Sequence, residues 1–592
     1  MTTLTPARLA QVRTEMARQQ LDGFIVPRAD EYLGEYVPVQ NERLQWLTGF
    51  TGSAGMAIVL PDRAGMFVDG RYTIQVRQQV SATDFEYHHL VDEPPLAWLQ
   101  QVLSAGARVG VDSRMHTLAW FEEAQATLAE QQIMLVEVGT NPIDGHWTDR
   151  PIPEYPLALL LGEEYTGESS LSKRTRIGAL VKSAGAETAL VAQLDAIAWL
   201  LNIRGADVPR LPVLLGYATL QQDGTMTLFT NPVQLPNDFS SHVGAGVTVK
   251  DASQLGDALQ VLGEKSARVL ADPANTNAWS QLRCREAGAT LVAAADPVAL
   301  PKAAKNPVEL AGIRQCHVRD GLAVSRFLAW LEGQVAAGQL FDEDELATAL
   351  ASQRQASGVL RDLSFDTISA AGANGALCHY NHRNGVPAKL AMHNLYLVDS
   401  GGQYLDGTTD ITRTVAIGTP TAEHRMKFTL VLKGHIALAS AIFPKGTSGI
   451  QLDILARQFL WQAGLDYDHG TGHGVGAFLS VHEGPQRIGK SGPQTALLAG
   501  MVLSNEPGYY QENCFGIRCE NLMVVVPRAD GMLTFETITL APFDNRLIDT
   551  SLLSTAERAW LDTYHARVYA TLAPEMDGTD LQWLQAATAS LQ

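Results

Sequence analysis

Cysteine is scarce in this chain: five residues, Cys284, Cys316, Cys378, Cys514 and Cys519, are spread over 592. They are too few, too scattered and odd in number for a disulfide framework, and none stands in a C-x-x-C pair that could grip a metal. A reducing compartment fits this usage. The first residues, M-T-T-L-T-P-A-R-L-A-Q-V-R-T-E-M, carry charges where a secretory leader would be apolar, so a cytoplasmic location is expected. Long apolar runs are missing too. None approaches the roughly 18 residues of a spanning helix, and no membrane partner is expected. Positive charge is also short, with 44 Lys and Arg against 63 Asp and Glu, a net charge of −19. That balance disfavours nucleic acid and anionic membrane surfaces and suits cationic partners, metal ions included.

What is present is ordinary globular material, 46% hydrophobic and 18% charged, which excludes a disordered or fibrous chain. At about 150 residues per domain the length suggests three or four domains. An amphipathic helix opens the chain, with Pro6 at its start and Leu9, Val12 and Met16 at helical spacing. The Pro-rich P-I-P-E-Y-P at 151–156 breaks the first run of strands and helices. Trp46, in L-Q-W-L-T-G-F-T-G, and Trp199, in I-A-W-L-L-N-I-R-G, share a helix end followed by a turn glycine. Either one α/β unit is present twice or two Trp-Leu core contacts coincide. A further boundary falls near residue 303, before Asn306, a candidate helix cap, and Pro307. The expected domains are 1–155, 156–303 and 304–592, α/β in class. Near the end of the third, Ser554 and Glu557 form an S-x-x-E capping box.

The chemistry is concentrated in that third region. Asp399 follows the apolar L-Y-L-V and Asp410 precedes I-T-R-T-V-A-I, which makes them candidate hairpin partners with a mirror point between Tyr404 and Leu405. A tight turn at Asp406-Gly407 would shift this register, so direct opposition needs a wider loop or a bulge. Carboxylates that close share a proton or bind a cation, unless they are two solvated hairpin ends. His473 lies in D-H-G-T-G-H-G-V-G, whose glycines permit close backbone approach. Gly472 to Ala477 also fits G-x-G-x-x-A, but no apolar strand precedes it and no Lys-Ser/Thr pair follows, so dinucleotide and phosphate-loop readings are weak. Glu506 ends M-V-L-S-N before Pro507, and Glu520 stands at I-R-C-E-N before L-M-V-V-V. Each alone reads as a buried-edge glutamate paired with an arginine such as Arg518. Together the five are harder to dismiss. His379, His469 and His482 complete the set. His482-Glu483 is no zinc-peptidase H-E-x-x-H, because Gln486 occupies the last position and Gly484-Pro485 would break the helix.

The segments V-D-S-G-G-Q-Y-L-D-G-T-T-D-I-T-R-T, H-G-T-G-H-G-V-G, V-H-E-G-P, N-E-P-G-Y-Y and G-I-R-C-E-N resemble, in order, the metal motifs of the metal-dependent aminopeptidase P and prolidase family. D-G-R-Y at 69–72 and F-T-G-S-A-G at 50–55 are similar to its long, three-domain members. The resemblance implies two creatinase-N-like α/β domains followed by a C-terminal α+β catalytic domain of pita-bread fold. It also implies five metal ligands, Asp399, Asp410, His473, Glu506 and Glu520, with Asp410 and Glu520 bridging two divalent ions, usually manganese. The oxygen-rich donor set suits such a hard ion.

The function implied is removal of the first residue from peptides with proline second, by attack of a hydroxide shared between the two metals. Glu506 would be the proton acceptor, His482 would stabilise the oxyanion, and His379 would act at the catalytic centre. Substrate would be held by Arg71, His379, His469, His482 and Arg518, although Arg71 could equally form a structural salt bridge after its turn. A homodimer through the third domain is implied as well. Prolidase activity on Xaa-Pro dipeptides and a non-catalytic peptidase-like binding protein are the alternatives; length argues against the first and the intact ligand set against the second. Cys519 stands beside Glu520 where the family often has an aliphatic residue, and Cys378 precedes His379. They are either sensitive thiols near the site or ordinary buried cysteines.

Overall fold

Leu9, Val12 and Met16 are buried along the helix Thr5–Arg18, at the spacing that the sequence predicts. The structure, a computed structural model, describes residues 5–591. It divides into two units, Met1–Glu163 with Glu168–Ala299, and Glu164–Gly167 with Leu300–Gln592.

The first unit holds the same sheet twice. Strands β1 (Gly23–Pro27), β2 (Met56–Val59), β3 (Ala64–Val68), β4 (Glu86–His89), β5 (Arg108–Val111) and β6 (Met134–Glu137) lie in the order β4-β3-β2-β1-β5-β6. Strands β7 (Thr188–Val191), β8 (Tyr217–Gln221), β9 (Met226–Phe229), β10 (Val247–Lys250), β11 (Arg268–Ala271) and β12 (Thr290–Ala293) repeat it as β10-β9-β8-β7-β11-β12. Parallel and antiparallel pairings also agree strand for strand. The likeness around Trp46 and Trp199 is therefore a true repeat. Both tryptophans are buried on helices, Arg43–Thr48 and Leu194–Leu201, that end in a left-handed residue. In the first copy that residue is Gly49. In the second it is Asn202, where the sequence pointed to a glycine; its short amide tolerates positive φ. Thr117 and Asn277, N-caps of the matching helices Leu118–Ala129 and Ala278–Ala287, meet in an isolated antiparallel bridge.

Beside that bridge His116 is buried with its ring stacked 4.0 Å from Trp120 and its Nε2 without a hydrogen-bond partner. Burial pushes it down to about 3 from an ordinary 6.5. Between those values the unfolded chain binds one proton more than the folded one, so this contribution is complete above 6.5 and fades as pH falls. A His116→Leu variant is expected to lose less stability than the parent between about pH 6 and pH 4, read by urea unfolding at each pH.

In the second unit Asn306 caps the helix Pro307–Ala336. Its Oδ1 accepts from Val308 N and Glu309 N at 2.9 and 3.0 Å, while Glu309 Oε2 accepts from Asn306 N at 3.0 Å. Two sheets carry the site residues. One joins β13 (Ile368–Ala371), β14 (Asn394–Ser400) and β15 (Ile411–Ile417). The other has six strands, in the order Ile442–Phe443, β21 (Leu533–Thr537), β20 (Asn521–Pro527), β18 (Val502–Asn505), β16 (Gly472–Gly474), β17 (Glu483–Ile488). The strand β19 (Phe515–Arg518) pairs with Gly508–Gln511.

The β14–β15 register differs from the expected one. Asp399 lies opposite Thr412, and Tyr404 opposite Gly407, so the two-residue turn is Leu405-Asp406. The tight turn forms one residue earlier than Asp406-Gly407 because Gly407 must lie against the helix Pro307–Ala336. A Cβ there would come within 2.5 Å of Cys316 Sγ. Asp410 is thus diagonal to Asp399 and, two residues from Thr412, on the same face.

Candidate metal centre

Strand ends deliver every carboxylate of the site. Asp399 is the sixth residue of β14, Asp410 immediately precedes β15, Glu506 follows β18, and Glu520 sits between β19 and β20. His473 is the centre of β16, flanked by glycines that could bear no side chain: a Cβ on Gly472 would lie 2.1 Å from Ser504 O, and one on Gly474 2.2 Å from Glu483 O. The glycine loop is thus packed into the sheet, which lets the imidazole project among the carboxylates.

Ligand atoms of Asp410, His473 and Glu520 all lie within 4.8 Å of one another. His473 Nε2 is 3.4 Å from Asp410 Oδ2 and 3.5 Å from Glu506 Oε1. Its Nδ1 is 2.9 Å from Gly474 O, so a proton on Nδ1 is held there and Nε2 is the ring atom that faces the carboxylates. Ser504 Oγ accepts from His473 N at 2.9 Å and donates to Glu506 Oε1 at 3.2 Å. Thr412 Oγ1 donates to Glu520 Oε2 at 2.6 Å and accepts from Arg518 Nε at 3.0 Å.

The electrostatics of the bare cluster are those of crowded anions. Burial pushes Asp410 up to about 6 against its contact with His473, with Asp399 and Glu506 adding to the rise. Burial and then the charges of Asp410, Asp399 and Glu506 push Glu520 up as well. For His473 burial acts downward, but Asp410 and Glu506 outweigh it and lift the imidazole to about 9. Asp399 Oδ1 is buried with no hydrogen-bond partner. An orphaned oxygen on Asp399, three further carboxylates around one imidazole, and a ring whose Nδ1 is engaged from behind are what a divalent cation site presents, so these residues fit metal ions.

Arg518 differs from its expected place among substrate contacts. The guanidinium is buried and fully engaged: Nη2 donates to Asp399 Oδ2 at 2.6 Å, Nη1 to Tyr510 OH at 2.7 Å, and Nε to Thr412. Tyr510 OH also lies 2.8 Å from His469 Nε2, while His469 Nδ1 lies 2.7 Å from Gly470 O. Thr412 and Tyr510 were not visible as functional residues in the sequence, because a threonine on a strand and a tyrosine after Pro-Gly carry no signal by themselves. His482 packs edge-on against His473, ring centroids 4.3 Å apart. His379 is half-buried on the turn after Gly372–Ala376. Arg71 lies in the other unit, where Nη2 is 2.7 Å from Asp69 Oδ2 in its own D-G-R-Y turn. Cys519 is buried beside Glu520 and burial pushes its thiol up to about 12, which makes it an inert core residue. Cys378 is buried too.

Mixed sheets that gather an oxygen-rich cluster fit for metal, in a chain that also carries a duplicated α/β unit, define a class of metallopeptidase. The profile of metallopeptidase family M24 matches residues 311–527 and that of its C-terminal region 531–591. The creatinase/prolidase N-terminal domain matches twice, at 8–140 and 149–309. The chain belongs to metallopeptidase family M24. Among its full-length relatives, the probable Xaa-Pro aminopeptidase P of Tuber melanosporum is 38% identical over 99% of both chains. Aminopeptidase P2 of Arabidopsis thaliana is 37% identical over 95% of this chain and 85% of its own. The solved X-prolyl aminopeptidase of Caenorhabditis elegans, described as a cytosolic enzyme with a di-nuclear active site, superposes with a TM-score of 0.95 at 32% identity, covering 100% of both chains.

Proposed function

We propose that this chain is an Xaa-Pro aminopeptidase, which removes the N-terminal residue from peptides whose second residue is proline. The observation that carries the reading is the meeting of Asp410, His473 and Glu520 within 4.8 Å, in a chain similar from end to end to proteins of that name. Its division is into domains 1–155, 156–303 and 304–592, supported by the duplicated sheet and by the two N-terminal-domain matches.

Asp399, Asp410, His473, Glu506 and Glu520 would hold two divalent ions, and the hard donor set favours manganese. When bound, such a pair supplies Lewis acidity that lowers the pKa of water and polarises the scissile carbonyl. The chain's own residues do the rest. Arg518 fixes Asp399 through Oδ2 and leaves Oδ1 for a ligand. Thr412 sets the rotation of the Glu520 carboxylate, and Ser504 that of Glu506. Glu506 Oε2 takes the proton released as water attacks the carbonyl carbon. It passes that proton to the proline nitrogen as the C–N bond breaks. His482 donates to the carbonyl oxygen as charge builds there, and His379 and His469 line the substrate. Proline has no amide hydrogen and a fixed φ, so a site that demands neither donor nor freedom at that position accepts it, and a pocket shaped for the ring would select it. Arg71 serves as the partner of Asp69.

A cytoplasmic location and a homodimer belong to the same reading. The Caenorhabditis elegans protein is described as cytosolic, and no helix of the described residues is long and apolar enough to cross a membrane. The test is hydrolysis by the manganese-loaded protein of an Arg-Pro-Pro tripeptide and of the dipeptide Arg-Pro. Release of arginine from the first alone, lost on chelation, is expected. Cleavage of the dipeptide alone would make it a prolidase, and cleavage of neither would refute the reading.

A further inference from the structure

Next to His482 in the chain lies a buried cluster of charge. Glu483, on β17, is held between two lysines from the segment that leads into the catalytic unit. Lys305 Nζ donates to Glu483 Oε1, and Lys302 Nζ lies 2.8 Å from Oε2. The second is a close ionic contact rather than an aligned hydrogen bond, which leaves Oε2 without a donor. The three side chains are 1%, 4% and 0% exposed for Lys305, Lys302 and Glu483.

Two ammonium groups and one carboxylate taken wholly out of water are a poor source of stability, since their desolvation offsets their attraction and apolar residues of equal volume serve as well. Their place in the chain suggests what they do instead. Glu483 immediately follows His482. The β16–β17 pairing runs Gly472 to Ile488 and His473 to Arg487, then jumps to Gly474 opposite Glu483, so extra residues of β17 bulge out beside the metal-binding histidine. A bulge re-aims side chains, and next to this one the His482 ring lies edge-on to His473. A bulge is also a place where the backbone has alternatives. Clamping Glu483 from two sides removes them.

We propose that Lys302, Glu483 and Lys305 form a buried ionic lock that positions His482 for the peptidase reaction. The inference rests on the aminopeptidase reading and adds three positioning residues to it. Lys302 and Lys305 act through Glu483, and Glu483 through the backbone it shares with His482.

The test replaces the lock by an apolar one, Lys302→Met with Glu483→Leu and Lys305→Met, in the manganese-loaded full chain. A purely structural cluster would tolerate this exchange in both stability and rate. The lock predicts a melting temperature and manganese content close to the parent's, with kcat lower by about ten-fold or more and KM within about three-fold. Adding His482→Ala to this variant should lower kcat by less than about two-fold further, because the histidine is already misplaced. If the triple variant does not fold, Lys302→Met alone, which keeps the Lys305–Glu483 pair, is put through the same cycle. An unchanged kcat, or effects that simply multiply with those of His482→Ala, would overturn the lock. A parent protein without activity on Arg-Pro-Pro would overturn the aminopeptidase reading instead.

Discussion

An Asp410→Ala variant is expected to lose about a thousand-fold or more in kcat/KM, roughly 4 kcal/mol of transition-state stabilisation. Asp410 is at the centre of the cluster: its Oδ2 is 3.4 Å from His473 Nε2, and its ligand atoms, with those of His473 and Glu520, share one sphere of 4.8 Å. No neighbour can replace it. Glu506 Oε1 is tied to Ser504, Asp399 Oδ2 to Arg518 and Glu520 Oε2 to Thr412, so each remaining carboxylate is fixed in its own direction. Loss of fold is not the cause, because deleting one of several crowded carboxylates relieves repulsion among the others. Kinetics on Arg-Pro-Pro, with circular dichroism to confirm an unchanged fold, would check this. A variant keeping more than about a tenth of the parental rate would contradict it.

The largest loss of stability is expected at Arg413. Arg413 is 1% exposed, and among the described residues its guanidinium makes no ion pair. It donates instead to a ring of acceptors: Nε to Pro542 O at 3.0 Å, Nη1 to Thr412 O at 2.9 Å and Glu520 O at 2.6 Å, and Nη2 to Asn521 Oδ1, Ala541 O and Tyr564 OH at 2.8, 2.7 and 3.0 Å. It also lies over the Phe543 ring, 4.2 Å from the centroid. One side chain therefore ties β15, Glu520 and the helix Thr555–Leu572 together. Arg413→Leu would leave several buried carbonyls without donors, each worth about 1–3 kcal/mol, for a total of about 4 kcal/mol or more. For a unit of this size that is a fall of roughly 8 °C in melting temperature. Arg413→Lys would recover less than half, since three donors on a point charge cannot reach acceptors spread around a planar fork. Differential scanning calorimetry would read both.

These two residues also show what a sequence reveals. Asp410 was legible because its segment resembles a metal motif of a known family; as a strand-end carboxylate near a second one it could equally have been a solvated hairpin end. Arg413, three residues on, was not. In I-T-R-T it reads as a charge on the wet side of a strand, and only a helix about 150 residues later makes it buried. The same holds for the lysines around Glu483 and for Arg518, whose partners lie far away in the chain. The repeat was one of two readings left open by Trp46 and Trp199, and its strand order was not legible at all, because strand pairing depends on contacts that no local pattern records. The hairpin pairing differs from the expected one by two residues, Thr412 instead of Asp410 opposite Asp399, because the packing of Gly407 against Cys316, and not the turn dipeptide, decides where the chain reverses.

Anomalous diffraction from crystals of the manganese-loaded protein tests the central claim most directly. Two peaks among Asp399, Asp410, His473, Glu506 and Glu520 are predicted, one of them within bonding distance of Asp399 Oδ1. Peaks elsewhere, or none at saturating manganese, would contradict it.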